Sequence, residues 1–439
     1  MSGRWRISGE PWIKPWTEKW LNDFSLRASY GITGKSPDAD YLYFNRYSTY
    51  SYGYLGESTS YPSSLELKEL RWERSFQNNY GLNFVAFDYK LNVEFDYYIR
   101  TTKDQYSSRT YIPTSSGFST MALNFGTLQN KGWELSVSYT PIKTKDLSVS
   151  FVFNVAKEEN AITELSEYAD LDNFDDWSSN GAYITRIVAG QPRGAFYGYK
   201  YDGVYLNKDQ TIAIGSDGKQ ITTTDENGNT IPLYMKFGYP TINYTFQPGD
   251  ARYVDINSDG QINYQDIAYL GDYNPLFYGG LTPSIKWRNL SLNTVFHYRY
   301  GNNIVNAARM SLENMYGFDN QATSTLRRWH HEYPNPEEAP VGLLPRALHA
   351  QGYNWLASDR FVEDGSFIRW KSFTLRYSFP RKLITQLKLQ GLYIYYTMQN
   401  VLLMTNYTGQ DPEIRLGSFQ DNARAPIPKS YMFGFNISF

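Results

Sequence analysis

The chain has no cysteine and only four histidines among its 439 residues. The first absence removes disulfide frameworks, thiolate metal sites and cysteine nucleophiles together. Charge of one sign is also missing, because 42 basic and 44 acidic residues are well mixed and leave a net charge of −2. Such a balance offers no surface to nucleic acid or to an anionic membrane face. The sequence has no G-x-S-x-G, no phosphate loop and no dinucleotide fingerprint. No run of about 18 apolar residues exists to cross a bilayer as a helix, and the opening MSGRWRISGEPW lacks the apolar core of a signal peptide. A polar average leaves one membrane architecture open, since a transmembrane β-barrel alternates lipid-facing and lumen-facing residues and dilutes its own hydrophobicity.

Aromatics are what the chain has in excess: 17% of residues, with 40 Tyr and 11 Trp. They recur in strict alternation. In LNVEFDYYIR (91–100), Leu91, Val93, Phe95, Tyr97 and Ile99 share one face, and Asn92, Glu94, Asp96, Tyr98 and Arg100 share the other. FSLRASYGI (24–32), WELSVSYT (133–140), LSVSFVFNV (147–155), LSLNTVFHY (290–298), SFTLRYSF (372–379) and LYIYYTM (392–398) repeat the pattern. Short turns are expected at 88–90, 141–146, 287–289 and 380–387, and long polar connections at 34–72, 101–131, 157–278, 301–366 and 401–429. Short turns at one end and long loops at the other are the layout of an outer-membrane barrel, whereas a soluble sandwich is rarely so one-sided. The pattern predicts about ten membrane strands from Phe24 to Phe439, each near the ~9–11 residues needed to cross at a tilt. GRWRISGEPW (3–12) reads as the tail of a preceding strand. The last strand, YMFGFNISF (431–439), alternates and ends in Phe, the form that outer-membrane assembly machinery recognises.

One segment stands apart. DINSDGQINYQD (255–266) places Asp255, Asn257 and Asp259 at the first, third and fifth positions of a calcium loop and Gly260 at the sixth, where the chain must turn sharply. Gln261 would offer its backbone carbonyl, and Asn263 and Asp266 would close the shell at positions nine and twelve. Asp at position twelve departs from the Glu of an EF-hand, and no amphipathic helix precedes the loop. The competing reading is a turn held by local Asp and Asn hydrogen bonds.

Other candidates have plainer explanations. His297 falls on the polar face of a strand, and His330 and His331 lie in WHHEYPNP, so all four histidines, His349 included, read as solvated or lumen-lining. Glu94, Asp96 and Glu134 would suit glycoside hydrolysis by residue type, but lumen solvation accounts for them. Most aromatics belong to girdles at the membrane interfaces; Tyr41, Tyr43, Tyr47, Tyr50, Tyr52, Trp329 and Trp355, in loops, are placed to meet substrate.

On these segments the sequence resembles the SusC-like, or RagA-like, TonB-dependent outer-membrane transporters. The phrases that carry the resemblance are LRASYGITG (26–34), NFGTLQNKGWELSVSY (124–139), GQPRGAFYGYKYDGVY (190–205), SDRFVEDGSFIRWKSFTLRYSFP (358–380) and QNVLLMTNYTGQDPEI (399–414). The resemblance implies an all-β fold, an antiparallel transmembrane barrel portion of about ten strands out of 22, with long extracellular loops and short periplasmic turns. It places the calcium loop inside the extracellular region 157–278, ahead of NPLFYGG (274–280), with Ca²⁺ as a structural staple rather than a catalyst. It further implies that residues 1–439 are the C-terminal part of the barrel, without plug domain or signal peptide. The expected partners are a SusD-like surface lipoprotein, the N-terminal plug and barrel half, the TonB complex reached through that half, and outer-membrane lipid. Uptake of a glycan or oligopeptide is the implied function. The alternatives are a structural barrel fragment without transport of its own and a secreted glycan-binding protein with a dockerin-like calcium loop.

Overall fold

A computed structural model describes the chain except for residues 38–39, 51–52, 54–55, 113, 167–181, 186, 240–241, 352 and 414–417. Eleven strands form one antiparallel sheet in chain order: β1 (Ser2–Arg6), β2 (Leu21–Lys35), β3 (Glu73–Ala86), β4 (Leu91–Tyr111), β5 (Thr120–Lys143), β6 (Leu147–Leu165), β7 (Phe277–Trp287), β8 (Leu290–Tyr300), β9 (Phe367–Ser378), β10 (Gly391–Thr405) and β11 (Ser430–Ser438). Every neighbour in the sheet is the neighbour in sequence, the up-and-down order that short turns and long loops require. The tail read at 3–12 is β1, which pairs Ser2 with Ser29 and Arg6 with Ser25 and makes the strand count eleven rather than ten.

The register explains the alternation. Phe24, Phe84, Val93, Val137, Phe153, Leu281, Phe296, Trp370 and Leu402 are successive cross-strand partners from β2 to β10. A second row joins Trp5, Leu26, Leu82, Phe95, Leu135, Val155, Gly279, Tyr298, Ile368 and Met404. Between them runs Arg6, Ser25, Asn83, Glu94, Ser136, Asn154, Gly280, His297, Arg369 and Leu403, polar at nearly every step. Since the side-chain period is two, one face of the whole sheet is apolar and the other polar. The apolar face is not covered: Leu26, Phe95, Ile368, Met404 and Phe433 are all exposed. An exposed apolar face of this extent is a surface for lipid.

The short-turn end carries the aromatic girdle. Trp12, Trp16, Phe87, Tyr89 and Trp287 are exposed there, and Trp20 packs against Phe84 and Phe87 at 6.2 and 6.1 Å. The turn 87–90 is built from Phe87, Asp88 and Tyr89, all at positive φ. Trp20 of the adjacent connection and Asn22 of β2 hold it, accepting from the Phe87 and Tyr89 amides at 2.6 and 3.1 Å.

Three of the expected loops begin or end inside strands. Residues 101–131 are mostly strand, because β4 and β5 run 21 and 24 residues and leave only 112–119 between them. Likewise the first nine residues of 157–278 belong to β6, which continues to Leu165, and the first five of 401–429 belong to β10, which continues to Thr405. Beyond the membrane both faces meet water, so the apolar alternation ends while the hydrogen-bond ladder continues, with bulges after Thr102 and Ser107.

At the long-loop end the connections fold into a cap with its own core. Tyr199, Tyr205, Phe237, Phe246, Tyr253, Ile262 and Leu356 are buried together, and Tyr244 stacks on Tyr353 at 4.2 Å.

Candidate functional site

The polar face of the sheet and the loops above it are both built from recognisable parts. Arg27 is the centre of the wall near β2. Its guanidinium donates to Asn83 Oδ1 at 2.6 Å and to Asp96 Oδ2 at 2.9 Å. Gly81 makes room for that pair, since a Cβ there would stand 2.7 Å from Asp96 Oδ1 and 2.8 Å from Arg27. Glu94, Asp96 and Glu134 share an open hollow with Ser136, Asn154 and Tyr278 on the same polar face. The structure thus brings the three carboxylates together, as solvated lining of the wall. Arg100 donates to Gln77 at 3.2 Å on the same face, and His297 is half-buried between Gly280 and Arg369.

Sequence reasoning missed the charged groups that tie the cap together, because their partners lie far apart in the chain. Asp250 is fully buried and receives Arg346 Nε at 2.7 Å and the Tyr244 hydroxyl at 2.6 Å. Asn354 donates to Asp250 at 3.3 Å and accepts from the Ala251 amide at 2.8 Å. A second cluster joins Arg309 to Glu363 at 2.8 Å and Arg360 to Glu313 at 3.0 Å. Burial pushes the Glu363 carboxyl up, but the Thr408 amide and hydroxyl, Arg309 and Asn306 together hold it below the ordinary glutamate range. A third cluster anchors the connection after β10 to the wall. The buried Arg369 of β9 pairs with Asp411 and lies 2.7 Å from Glu413, which Lys371 also approaches at 2.9 Å. Asn303–Asn306 pairs in parallel with Gln420–Asp421, so the last two long connections share a strand seam.

Of the loop aromatics, Tyr41, Tyr43, Tyr47 and Tyr50 are exposed as expected, and Tyr52 lies outside the described residues. Trp329 and Trp355 turn inward instead. Trp329 covers Gly249, whose positive φ and missing Cβ admit the indole, and Trp355 meets Tyr316 edge-on at 5.9 Å.

The loop 255–266 closes around its own amides. Asp255 accepts from the Gly260 amide at 2.7 Å and the Asp259 amide at 3.2 Å. Asn257 Oδ1 accepts from the Asp259 amide at 3.2 Å, and Asp259 accepts from the Gln261 amide at 2.8 Å. Asn263 and Asp266 form a capping box, in which Asp266 holds the Asn263 and Ile256 amides at 2.8 Å each. Ile262 is fully buried in the cap core and anchors the loop, and Gln261 and Ile262 pair with Lys236 and Phe237. Ser258 and Gly260 supply the left-handed turn, at φ 59° and 84°. Burial pushes the Asp266 carboxyl up to about 6 and raises Asp255 as well. Among the described residues no three Asp, Glu or His side chains converge as a metal site. The donor chemistry still suits Ca²⁺, because an ionised carboxylate that accepts one amide per oxygen keeps lone pairs free for a hard cation.

With the geometry in place, comparisons place the chain among known proteins. No family model matches it. A TonB-dependent receptor of Formosa agariphila is 29% identical over 465 residues, 99% of this chain and 42% of the relative. TonB-dependent receptor SusC of Bacteroides thetaiotaomicron is 27% identical, over 99% of this chain and 39% of its own length. The solved RagAB peptide transporter superposes with a TM-score of 0.74 at 24% identity, covering 100% of this chain and 43% of that one. The same importer in a closed-closed state gives 0.72 at 26% identity. The chain is therefore similar to the TonB-dependent receptors of the bacterial outer membrane, and the eleven-stranded sheet has the form of a portion of a transmembrane β-barrel. Within that class the likeness is to the SusC and RagAB type. The chain spans about two fifths of the length of the curated relatives that it matches.

Proposed function

We propose that this chain serves outer-membrane nutrient uptake as the barrel segment of a SusC-like TonB-dependent importer of glycans or oligopeptides. The observation that carries the reading is the unbroken division of the sheet into an apolar and a polar face, with a folded cap over the long-loop end. The relatives are receptors and transporters rather than enzymes. A SusD-like surface lipoprotein is the partner that fits an importer of this type, and the TonB complex supplies its energy through the longer protein. Deleting the coding region in the source bacterium tests the proposal. Growth on one class of glycan or oligopeptide should be lost while growth on the corresponding monomers is kept. Unchanged growth of the deletion strain on every such nutrient, where the parent strain assembles the barrel in its outer membrane, favours a structural fragment without transport.

Calcium binding at 255–266 belongs to the same proposal. Asp255, Asn257, Asp259, Gln261, Asn263 and Asp266 would hold the ion, and its role is to stiffen the segment between Tyr183 and Phe277. Asp255→Ala combined with Asp259→Ala should raise protease sensitivity there and leave the barrel intact. Wild-type cleavage that is indifferent to added calcium and to chelator rules the staple out.

A further inference from the structure

The connection between β2 and β3 contains a second concavity. Tyr41, Tyr43 and Trp72 line a hollow of 580 Å³ together with Asp40, Glu66 and Lys68. The three rings are 68%, 52% and 64% exposed, an unusual state for side chains of their apolar area. Phe44 stacks beside them, 4.1 Å from Tyr43 and 6.4 Å from Tyr41 between ring centroids. Tyr41 is held at φ 59°, a conformation that bulky residues rarely adopt and that turns up at binding sites.

The hollow is braced from the sheet. Asn124 of β5 accepts from the Arg71 amide at 2.8 Å and donates to the Arg71 carbonyl at 3.0 Å and the Asp104 carbonyl at 2.6 Å. Trp72 rests against Gly34 at the outer end of β2, 3.5 Å from where a Cβ would stand. On the other side the Leu67 amide donates to the Tyr43 carbonyl at 3.2 Å. Lys68 and Glu66 stand 3.4 Å apart on the rim, both largely solvated.

We infer that this hollow is a carbohydrate subsite at the extracellular rim, in which Tyr41, Tyr43 and Trp72 stack on pyranose rings and Asp40, Glu66 and Lys68 hydrogen-bond their hydroxyls. The inference rests on the uptake reading and selects glycan over oligopeptide. The apolar C–H face of a sugar ring matches an aromatic plane, and its equatorial hydroxyls reach outward to charged side chains at the edge, the alternation this wall presents. An oligopeptide asks for something else, either an unpaired strand edge for its amides or a closed apolar pocket for its side chains. The lining presents instead three exposed rings with charged side chains beside them.

The test uses the full-length transporter purified in detergent and titrated with neutral hexasaccharides of glucose, xylose, mannose and galactose, with hexa-alanine as the peptide probe. Binding is read by calorimetry and by tryptophan fluorescence. At least one hexasaccharide should bind, and Tyr41→Ala or Trp72→Ala should weaken it at least tenfold. Tyr41→Phe, which keeps the ring, should stay near wild type, and Glu66→Gln should cost several-fold. Circular dichroism and heat-modifiable migration of each variant separate lost binding from lost folding. The inference is overturned if no hexasaccharide binds, if only hexa-alanine binds, or if folded ring variants bind the sugar as wild type does. Sugar binding that survives in a strain unable to grow on that glycan refutes the uptake reading while leaving the subsite in place.

Discussion

Asp250 shows how much depends on single side chains far from any pattern. Its carboxylate is fully buried and survives there because Arg346, Tyr244, Asn354 and the Gln247 amide all point at it. Burying an ion costs several kcal/mol, which four donors offset only together. Removing the one cation leaves the charge stranded, so Arg346→Met should destabilise the cap by about 3–5 kcal/mol. Arg346→Met combined with Asp250→Asn should recover part of that loss, because the orphaned charge is gone. Hydrogen exchange of the amides at 251–253 reports the change, and exchange unaltered in the single variant would show the pair to be dispensable. Nothing in the sequence marks Asp250 and Arg346 as partners, 96 residues apart. The turn at 255–266 was legible by contrast, because its Asp and Asn side chains fall within twelve positions and Gly260 fixes the turn.

Strands were the most legible elements, and the reason is physical. Between hydrocarbon and water a residue's face decides its chemistry, so β2 to β10 write the bilayer into the sequence with a period of two. Where β4 passes Arg100 the bilayer no longer imposes that period, and TTKDQYSS read as a loop although its backbone stays paired to β5. The short β1 was legible only as a tail, since five residues carry too few alternations to stand alone. The face assignment makes a prediction that contrasts neighbours on one strand. Phe95→Arg or Val137→Arg should impair insertion, since a cation at mid-bilayer on the lipid face costs about 2–4 kcal/mol. Glu94→Gln and Ser136→Arg, one position away on the polar face, should insert nearly as wild type. Urea resistance in outer-membrane vesicles measures this, and equal damage from both sets would mean the faces are reversed.

As a whole the molecule joins two bodies with different sources of stability. The sheet is held by continuous hydrogen-bonded ladders whose outer face lipid covers, and in hydrocarbon an open backbone group costs several kcal/mol, so its strands part only together. The cap is held by one aromatic core, by buried ion clusters and by hydrogen bonds between separate connections. Those links join Tyr183 to Ser358 and Tyr253 to Tyr353 across 175 and 100 residues, distances at which composition and periodicity carry no signal. Because the surrounding water can replace each cap contact, the cap should open at a lower temperature than the sheet. Arg369 is the place to test the seam between them, since it sits on β9 yet pairs with Asp411 and Glu413 of the connection above. Arg369→Met leaves Asp411 without its cation, whereas Glu413 keeps Lys371. On heating in detergent, this variant should become protease-sensitive around 406–413 at a lower temperature than wild type, with the migration of the heat-modifiable barrel unchanged. Sensitivity around 205–253 should rise less, because the Asp250 cluster is left whole. Simultaneous loss of cap and barrel at one lowered temperature would show that the two bodies are a single cooperative unit and that Arg369 supports the wall itself.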